Sequence, residues 1–245
     1  MKNIIEIIFI NMITLIRVIG IFAIIPVYHN LGGFSCFILV AVCFLTDCID
    51  GMLARELKCS TFFGSIFDGI SDKAFLIINL ITIFTITKLA IIPILIEMLI
   101  ALTQSMKYSQ NMNVKSNLMG KTKMWIAGFL TSAIYIIDDL VFLESINNKY
   151  TKFLIDNANT IKTIMIIIVI VAEVLTLISY IKEYVESKNN LDSTQVIKSR
   201  ELQLIEKFSN KKLSYMLFNH DFYMQCKDNA NLKFLTKLAK SNKKV

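Results

Sequence analysis

The sequence has few of the residues that commonly build soluble catalytic or metal sites. Its two histidines, His29 and His220, are isolated from each other, and neither is expected to be a catalytic base. The cysteines form no C-x-x-C pair, which argues against a zinc site or a disulfide framework. We expect them to pack as buried or free thiols; they are Cys36, Cys43, Cys48, Cys59 and Cys226.

Two sequence signals, a signal-peptide cleavage site and a nucleic-acid-binding motif, are also missing. No A-x-A-like site follows the N-terminal apolar stretch, which Arg17 interrupts, so we expect a retained helix and not a removed signal peptide. The net charge is +7 and much of the lysine excess follows residue 185. With no nucleic-acid motif in so apolar a chain, an anionic membrane surface is the expected partner.

Apolar sequence is what the chain has in abundance. Apolar residues make up 55% of the 245 residues and the mean hydropathy is +0.58, which is too apolar for an ordinary soluble domain. The long apolar runs predict an all-α, polytopic membrane protein with six transmembrane helices. These helices are expected at about 10–28, 34–54, 63–87, 89–107, 122–143 and 161–184.

The basic residues predict the orientation and the division of the chain. The connections between spans 2 and 3 and between spans 4 and 5 are basic, and the basic tail joins the same side. This pattern places both termini in the cytoplasm of a multi-pass cell-membrane protein. We expect a membrane domain over residues 1–185 and a basic cytoplasmic tail over residues 186–245, partly helical or disordered. Asp138 and Asp139, at the outer end of the fifth span, are expected to be solvated.

Four aspartates stand at helical spacing on two neighbouring spans. Asp47 and Asp50 are i, i+3 near the end of the second span, and Asp68 and Asp72 are i, i+4 near the start of the third. Each pair therefore lies on one helix face. Because the connection between the spans is short, the helices can pack antiparallel. The sequence thus predicts four clustered carboxylates at the cytoplasmic membrane boundary.

Such a cluster requires compensating charge. An aspartate at the bilayer centre costs about 2.5–3.5 kcal/mol on insertion scales, somewhat less near the interface, and close carboxylates also repel one another. Divalent cations would offset both costs, and oxygen ligands favour Mg²⁺ or Mn²⁺ over zinc. Two such ions would suit transfer chemistry at a diphosphate.

Small residues accompany the aspartates. Gly51 and Ala54 follow Asp50 on the second span, and Gly64 precedes Asp68 by one turn. Small side chains let either a flat ligand or a neighbouring helix approach the backbone closely. A nucleotide held through its diphosphate is a good candidate ligand, and helix packing is the alternative.

The stretch 47–72 resembles the signature of the CDP-alcohol phosphatidyltransferase family, D-x-x-D-G-x-x-A-R, eight residues, then G-x-x-x-D-x-x-x-D. All eight specified positions and every spacing match. The resemblance implies transfer of a phosphatidyl group from CDP-diacylglycerol to a polar alcohol, with release of CMP. It implies metal binding by Asp47, Asp50, Asp68 and Asp72, with Asp72 also the general base. It implies binding of the CDP donor by Gly51, Ala54, Arg55 and Gly64.

The acceptor is predicted from two further likenesses. The first span contains N-x-x-T-x-x-R and the 4–5 connection contains G-K-x-K, and both are similar to bacterial phosphatidylglycerophosphate synthases. This similarity implies glycerol 3-phosphate as acceptor, with candidate binding residues Asn11, Thr14, Arg17, Lys115, Lys121 and Lys123. Positive-inside topology is an alternative explanation for the lysines. The arginine that commonly precedes the acidic residue of the fourth span is replaced here by Ile96, before Glu97.

Several alternatives stay open at this point. The same chemistry could use phosphatidylglycerol, giving cardiolipin, or an inositol phosphate. A protein of another class would be a cation transporter that uses the acidic cluster as its ion site, or a non-catalytic homologue. The resemblance also implies a homodimer, because members of the family commonly pair through their membrane helices.

Overall fold

The computed structural model describes residues 2–57, 59–109, 118–146, 148–189 and 217–226, and within them all regular secondary structure is helical. A 3₁₀ turn at Lys88–Ala90 precedes the fourth of nine α-helices in these ranges. They are α1 (Lys2–Leu31), α2 (Gly33–Glu56), α3 (Phe62–Ile86), α4 (Ile91–Ser109), α5 (Leu118–Asp138), α6 (Leu140–Ile146), α7 (Lys149–Asp156), α8 (Ala158–Asn189) and α9 (His220–Cys226).

Five helical stretches are long and apolar enough to cross a membrane, and α5 with α6 would make a sixth if the pair is one span. The five are Asn11–Leu31, Gly33–Ala54, Phe62–Ile86, Lys88–Lys107 and Ala158–Glu186. Their ends agree with the predicted spans to within a few residues. The predicted fold class, an all-helical multi-pass membrane protein, is confirmed.

The fifth predicted span, 122–143, is bent by 73° between α5 and α6. Asp139 lies at the break, where its Oδ1 accepts a hydrogen bond from the Phe142 backbone N–H at 3.0 Å. Its Oδ2 accepts from the Phe34 N–H at 2.9 Å. One carboxylate therefore caps α6 and also satisfies a free N–H in the first turn of α2.

Asp138 is paired as well. Its carboxylate accepts from the Tyr28 hydroxyl at 2.5 Å and from Lys162 Nζ at 2.8 Å. The expectation that both aspartates are solvated was wrong, because backbone and side-chain donors from α1, α2 and α8 converge on this end of α5. These bonds join the ends of four helices on the side of the bundle opposite the acidic cluster.

Two glycines allow the tight connection between α1 and α2. Gly32 has a φ of +86°, a conformation that side chains disfavour. A Cβ added to Gly33 would lie 2.1 Å from the Tyr135 carbonyl oxygen, so only glycine lets the start of α2 approach α5 this closely. This contact fixes where α2 begins and therefore where its C-terminal aspartates lie.

The bundle core lies where α1, α2, α3, α5 and α8 meet. It contains the fully buried residues Ile21, Ile24, Val40, Ile83, Ile134 and Ile166. Within it, Asn79 Nδ2 donates to Thr131 Oγ1 at 2.8 Å, and the Tyr135 hydroxyl donates to Asn79 Oδ1 at 2.6 Å. These buried hydrogen bonds fix the register of α3 against α5. Large apolar side chains cover the outer faces of the helices, as lipid contact requires.

The tail contributes a segment that packs on this bundle. Phe222, which is 1% exposed, lies against Phe62 at the start of α3, with 5.5 Å between ring centroids. Phe218 packs on Phe63 at 5.2 Å. Residues 190–216 and 227–245 lie outside the described ranges, so the division of the chain at residue 185 stays a prediction.

Candidate active site

The connection between α2 and α3 places the two halves of the aspartate motif side by side. Thr61 caps α3, and its Oγ1 accepts a hydrogen bond from the Gly64 N–H at 3.1 Å. The Cys59 N–H donates back to the Ala54 carbonyl at 3.0 Å, which turns the chain as it leaves α2. The end of α2 and the start of α3 therefore meet at the same level of the bundle.

Three aspartates converge there. Carboxylate oxygens of Asp47, Asp68 and Asp72 all lie within 4.8 Å of one another, and their side chains are 36%, 48% and 41% exposed. Asp50 lies three residues after Asp47 on α2, and its side chain is outside the described part of the structure. Its role as a ligand stays a prediction.

Arg17 on α1 lies against all three carboxylates. It is 3% exposed, and its guanidinium contacts Asp47, lies 2.8 Å from Asp68 and lies 3.8 Å from Asp72. It also donates to the hydroxyl of Ser71. One guanidinium offsets one of three carboxylate charges, so the set fits a divalent cation with hard oxygen ligands such as Mg²⁺ or Mn²⁺.

A first cleft of about 170 Å³ opens beside the cluster, between α1, α2 and α3. It brings together six residues singled out by the sequence: Asn11, Thr14, Gly51, Ala54, Gly64 and Asp68. Asn11 and Thr14, predicted for the acceptor, thus lie with the predicted donor residues. The side chain of Arg55, the remaining donor candidate, is outside the described part.

Five residues of the first cleft were missed by the sequence reasoning: Cys59, Ser60, Thr61, Ser65 and Tyr223. The first four lie in or beside the eight-residue spacer of the motif, where their small polar side chains were a usable signal. Tyr223 belongs to the tail, and nothing in the local sequence pointed to it.

A second cleft of about 220 Å³ also borders the cluster. Arg17, Asp47 and Asp72 line it, together with Lys121 and Trp125 of α5. The structure therefore brings two of the predicted acceptor-binding residues, Arg17 and Lys121, to one cleft.

Lys123 does not line either cleft. Its side chain is 5% exposed, and its ammonium group contacts Glu97 of α4 and lies 3.3 Å from Glu173 of α8. This buried triad joins α4, α5 and α8. Lys115, the last acceptor candidate, lies outside the described residues.

The comparisons with known proteins place this geometry in a family. A family model for CDP-alcohol phosphatidyltransferase matches residues 8–185. The chain belongs to the CDP-alcohol phosphatidyltransferase family. It is therefore an enzyme of a metal-dependent family, and the resemblance predicted from residues 47–72 is confirmed. No curated protein gives a significant match.

Two glycines offer a matched test of the first cleft in this phosphatidyltransferase. A Cβ added to Gly51 or to Gly69 meets no atom within 4 Å, but only Gly51 lines the cleft. We expect Gly51→Leu to lower the initial rate of CMP release by at least about tenfold, equivalent to about 1.4 kcal/mol, because the side chain would fill the cleft in which the family resemblance predicts the donor. Gly69→Leu should retain the rate, and both variants should keep the wild-type Tm in detergent.

Equal losses of rate in the two variants, or a loss of rate that follows a lower Tm, would contradict this assignment of the cleft.

Proposed function

We propose that this enzyme acts in phospholipid biosynthesis, transferring the phosphatidyl group of CDP-diacylglycerol to the hydroxyl of glycerol 3-phosphate and releasing CMP. The observation that carries the proposal is the position of the acidic cluster between two clefts. Asp68 lines the first cleft, and Asp47 and Asp72 line the second. In this arrangement donor and acceptor reach the same group of carboxylates from two separate clefts.

The first cleft suits the nucleotide of the donor. Gly51, Ala54 and Gly64 leave its walls close to the backbone, and the hydroxyl of Ser65 offers a hydrogen bond. Asp68 is the member of the acidic cluster that lines this cleft, and the diphosphate would be held beside it. Asp47, Asp50, Asp68 and Asp72 would hold one or two Mg²⁺ or Mn²⁺ ions, which when bound neutralise charge on the diphosphate.

The second cleft suits an anionic acceptor. Arg17 of α1 and Lys121 of α5 provide positive charge in its lining, which also includes Asp47 and Asp72 of the cluster. Asp72 would accept the proton of the acceptor hydroxyl as its oxygen attacks the phosphatidyl phosphorus. The bond from that phosphorus to the CMP oxygen breaks, and CMP leaves with the electron pair. For Lys123, held by Glu97 and Glu173, we propose a positioning role rather than direct contact with the acceptor.

The reaction and the base are tested by CMP release from CDP-diacylglycerol with Mg²⁺ or Mn²⁺ and glycerol 3-phosphate. We expect Asp72→Asn to lower kcat by about 10²–10⁴-fold, the usual contribution of a general base, while CMP binding is retained. Asp156→Asn, a change at the exposed end of α7, is the control and should leave kcat unaltered.

An Asp72→Asn enzyme with near-wild-type kcat would remove the base from the mechanism. A wild-type protein that binds CDP-diacylglycerol but releases no CMP with any acceptor would count against the catalytic proposal itself.

The acceptor is tested by comparing Lys121→Ala with a control variant, Lys182→Ala. The Lys182 side chain is 75% exposed on α8 and lies outside both clefts. Because a charged hydrogen bond contributes about 1.5–3 kcal/mol, Lys121→Ala should raise KM for glycerol 3-phosphate by about tenfold or more. KM for unphosphorylated glycerol, if glycerol is used, should change little, and Lys182→Ala should match the wild type.

Use of phosphatidylglycerol or an inositol phosphate in place of glycerol 3-phosphate would keep the reaction and replace the acceptor. A Lys121→Ala enzyme with unchanged KM for every anionic acceptor would contradict the role of the second cleft.

We further propose a homodimer with both termini and the active site in the cytoplasm. The dimer is supported by the family resemblance, and the orientation by the basic residues near the cluster. We expect cross-linking in native membranes to yield a dimer, and a C-terminal tag to be cleaved by protease only in inside-out vesicles. Finding only monomer after cross-linking would contradict the proposed dimer. Cleavage of the tag in right-side-out vesicles would contradict the proposed orientation.

A further inference from the structure

The tail returns to the membrane domain at the mouth of the first cleft. His220 Nδ1 lies 2.9 Å from the Ser60 carbonyl oxygen, and Ser60 itself lines that cleft. Phe222 is buried against Phe62, the first residue of α3. A hydrogen-bond-length contact and a buried aromatic anchor thus hold the segment 217–226 beside the connection that follows the aspartates of α2.

This docking carries Tyr223 into the wall of the cleft. The Tyr223 ring packs edge-on against Phe62, with centroids 5.4 Å apart and an interplanar angle of 88°. It is only partly buried, so part of its surface faces the cleft. Among the cleft-lining residues that the structure describes, Tyr223 is the one aromatic side chain, and the others are small, polar or acidic.

An aromatic ring in that place matches one part of a cytidine-linked donor. The pyrimidine is the only flat aromatic group of CDP-diacylglycerol, and bases stack readily on aromatic side chains. The tyrosine ring offers an apolar face, and its hydroxyl offers a polar handle at the wet edge. Small residues on the remaining walls leave the ring accessible to a planar group.

We propose that Tyr223 contacts the pyrimidine of the donor, so that the tail completes the nucleotide-binding cleft. The inference rests on the proposed function of that cleft. Tyr223 lies beyond the family match, which ends at residue 185, so this contact is supplied by a part of the chain outside the matched domain. Phe222 anchors the segment, whereas Tyr223 presents a surface to the ligand.

The experiment is calorimetric titration of CMP into the full-length protein in detergent with Mg²⁺. Because stacking on an aromatic ring is a large part of sequence-independent base binding, we expect Tyr223→Ala to weaken CMP binding by about tenfold. Tyr223→Phe keeps the ring and should stay within about threefold of the wild type. Met224→Ala, which removes an exposed neighbour that does not line the cleft, should bind as the wild type does.

Two further readouts separate ligand contact from simple packing. A contact made equally in the ground and transition states raises KM for CDP-diacylglycerol and leaves kcat nearly constant, and we expect this pattern in Tyr223→Ala. In the wild-type protein, added CMP should slow amide hydrogen exchange in residues 217–226. This second measurement needs no variant, so it holds even if Tyr223→Ala folds poorly.

Provided that the wild-type protein binds CMP, three results would each overturn the inference. They are an unchanged CMP affinity in Tyr223→Ala, an equal loss of affinity in Met224→Ala, and unaltered hydrogen exchange in residues 217–226. If the wild-type protein neither binds CMP nor releases it from CDP-diacylglycerol, the proposed function fails and this inference fails with it. The behaviour of the wild type therefore distinguishes the two failures.

Discussion

The contact between Arg17 and three carboxylates is the interaction on which the site depends. At an effective dielectric constant of about 20, two unit charges about 4 Å apart interact by about 4 kcal/mol. Three aspartates make three repulsive pairs, and one guanidinium touching all three makes three attractive pairs of similar size. Arg17 therefore roughly balances the mutual repulsion but not the desolvation of the carboxylates. The remaining negative charge is what a divalent cation and the diphosphate it binds would use.

The same residue relates the two clefts. Asn11, Thr14 and Arg17 follow one another at intervals of three on α1, and so share a broad helix face. The first two line the first cleft and Arg17 lines the second. Since α1 packs on both α2 and α3, one helix face forms a wall common to the proposed donor and acceptor sites. A shift of α1 would therefore disturb both substrates and the cluster together.

The features predicted correctly from sequence are those that depend on local pattern. Hydropathy places five spans within a few residues, and helical spacing with a short connection predicts the convergence of Asp47, Asp68 and Asp72. The break at Asp139 was missed because its carboxylate also binds the backbone of Phe34, over a hundred residues away in the chain. Tyr223 was missed for the same physical reason, since its position depends on a distant aromatic contact that a polar tail sequence does not reveal.

The two lysines of the G-K-x-K segment show how packing assigns different roles to similar residues. Lys123 is enclosed by Glu97 and Glu173, and removing one partner of a buried ion pair commonly costs about 3–5 kcal/mol. The residue before Glu97 is Ile96 in place of the arginine common in related synthases, and Ile96 packs among apolar neighbours. The cation that contacts Glu97 here is therefore Lys123. The pairing fixes the rotation of α5 against α4 and α8. Residues two positions apart lie on roughly opposite helix faces, so the same rotation presents Lys121 to the second cleft.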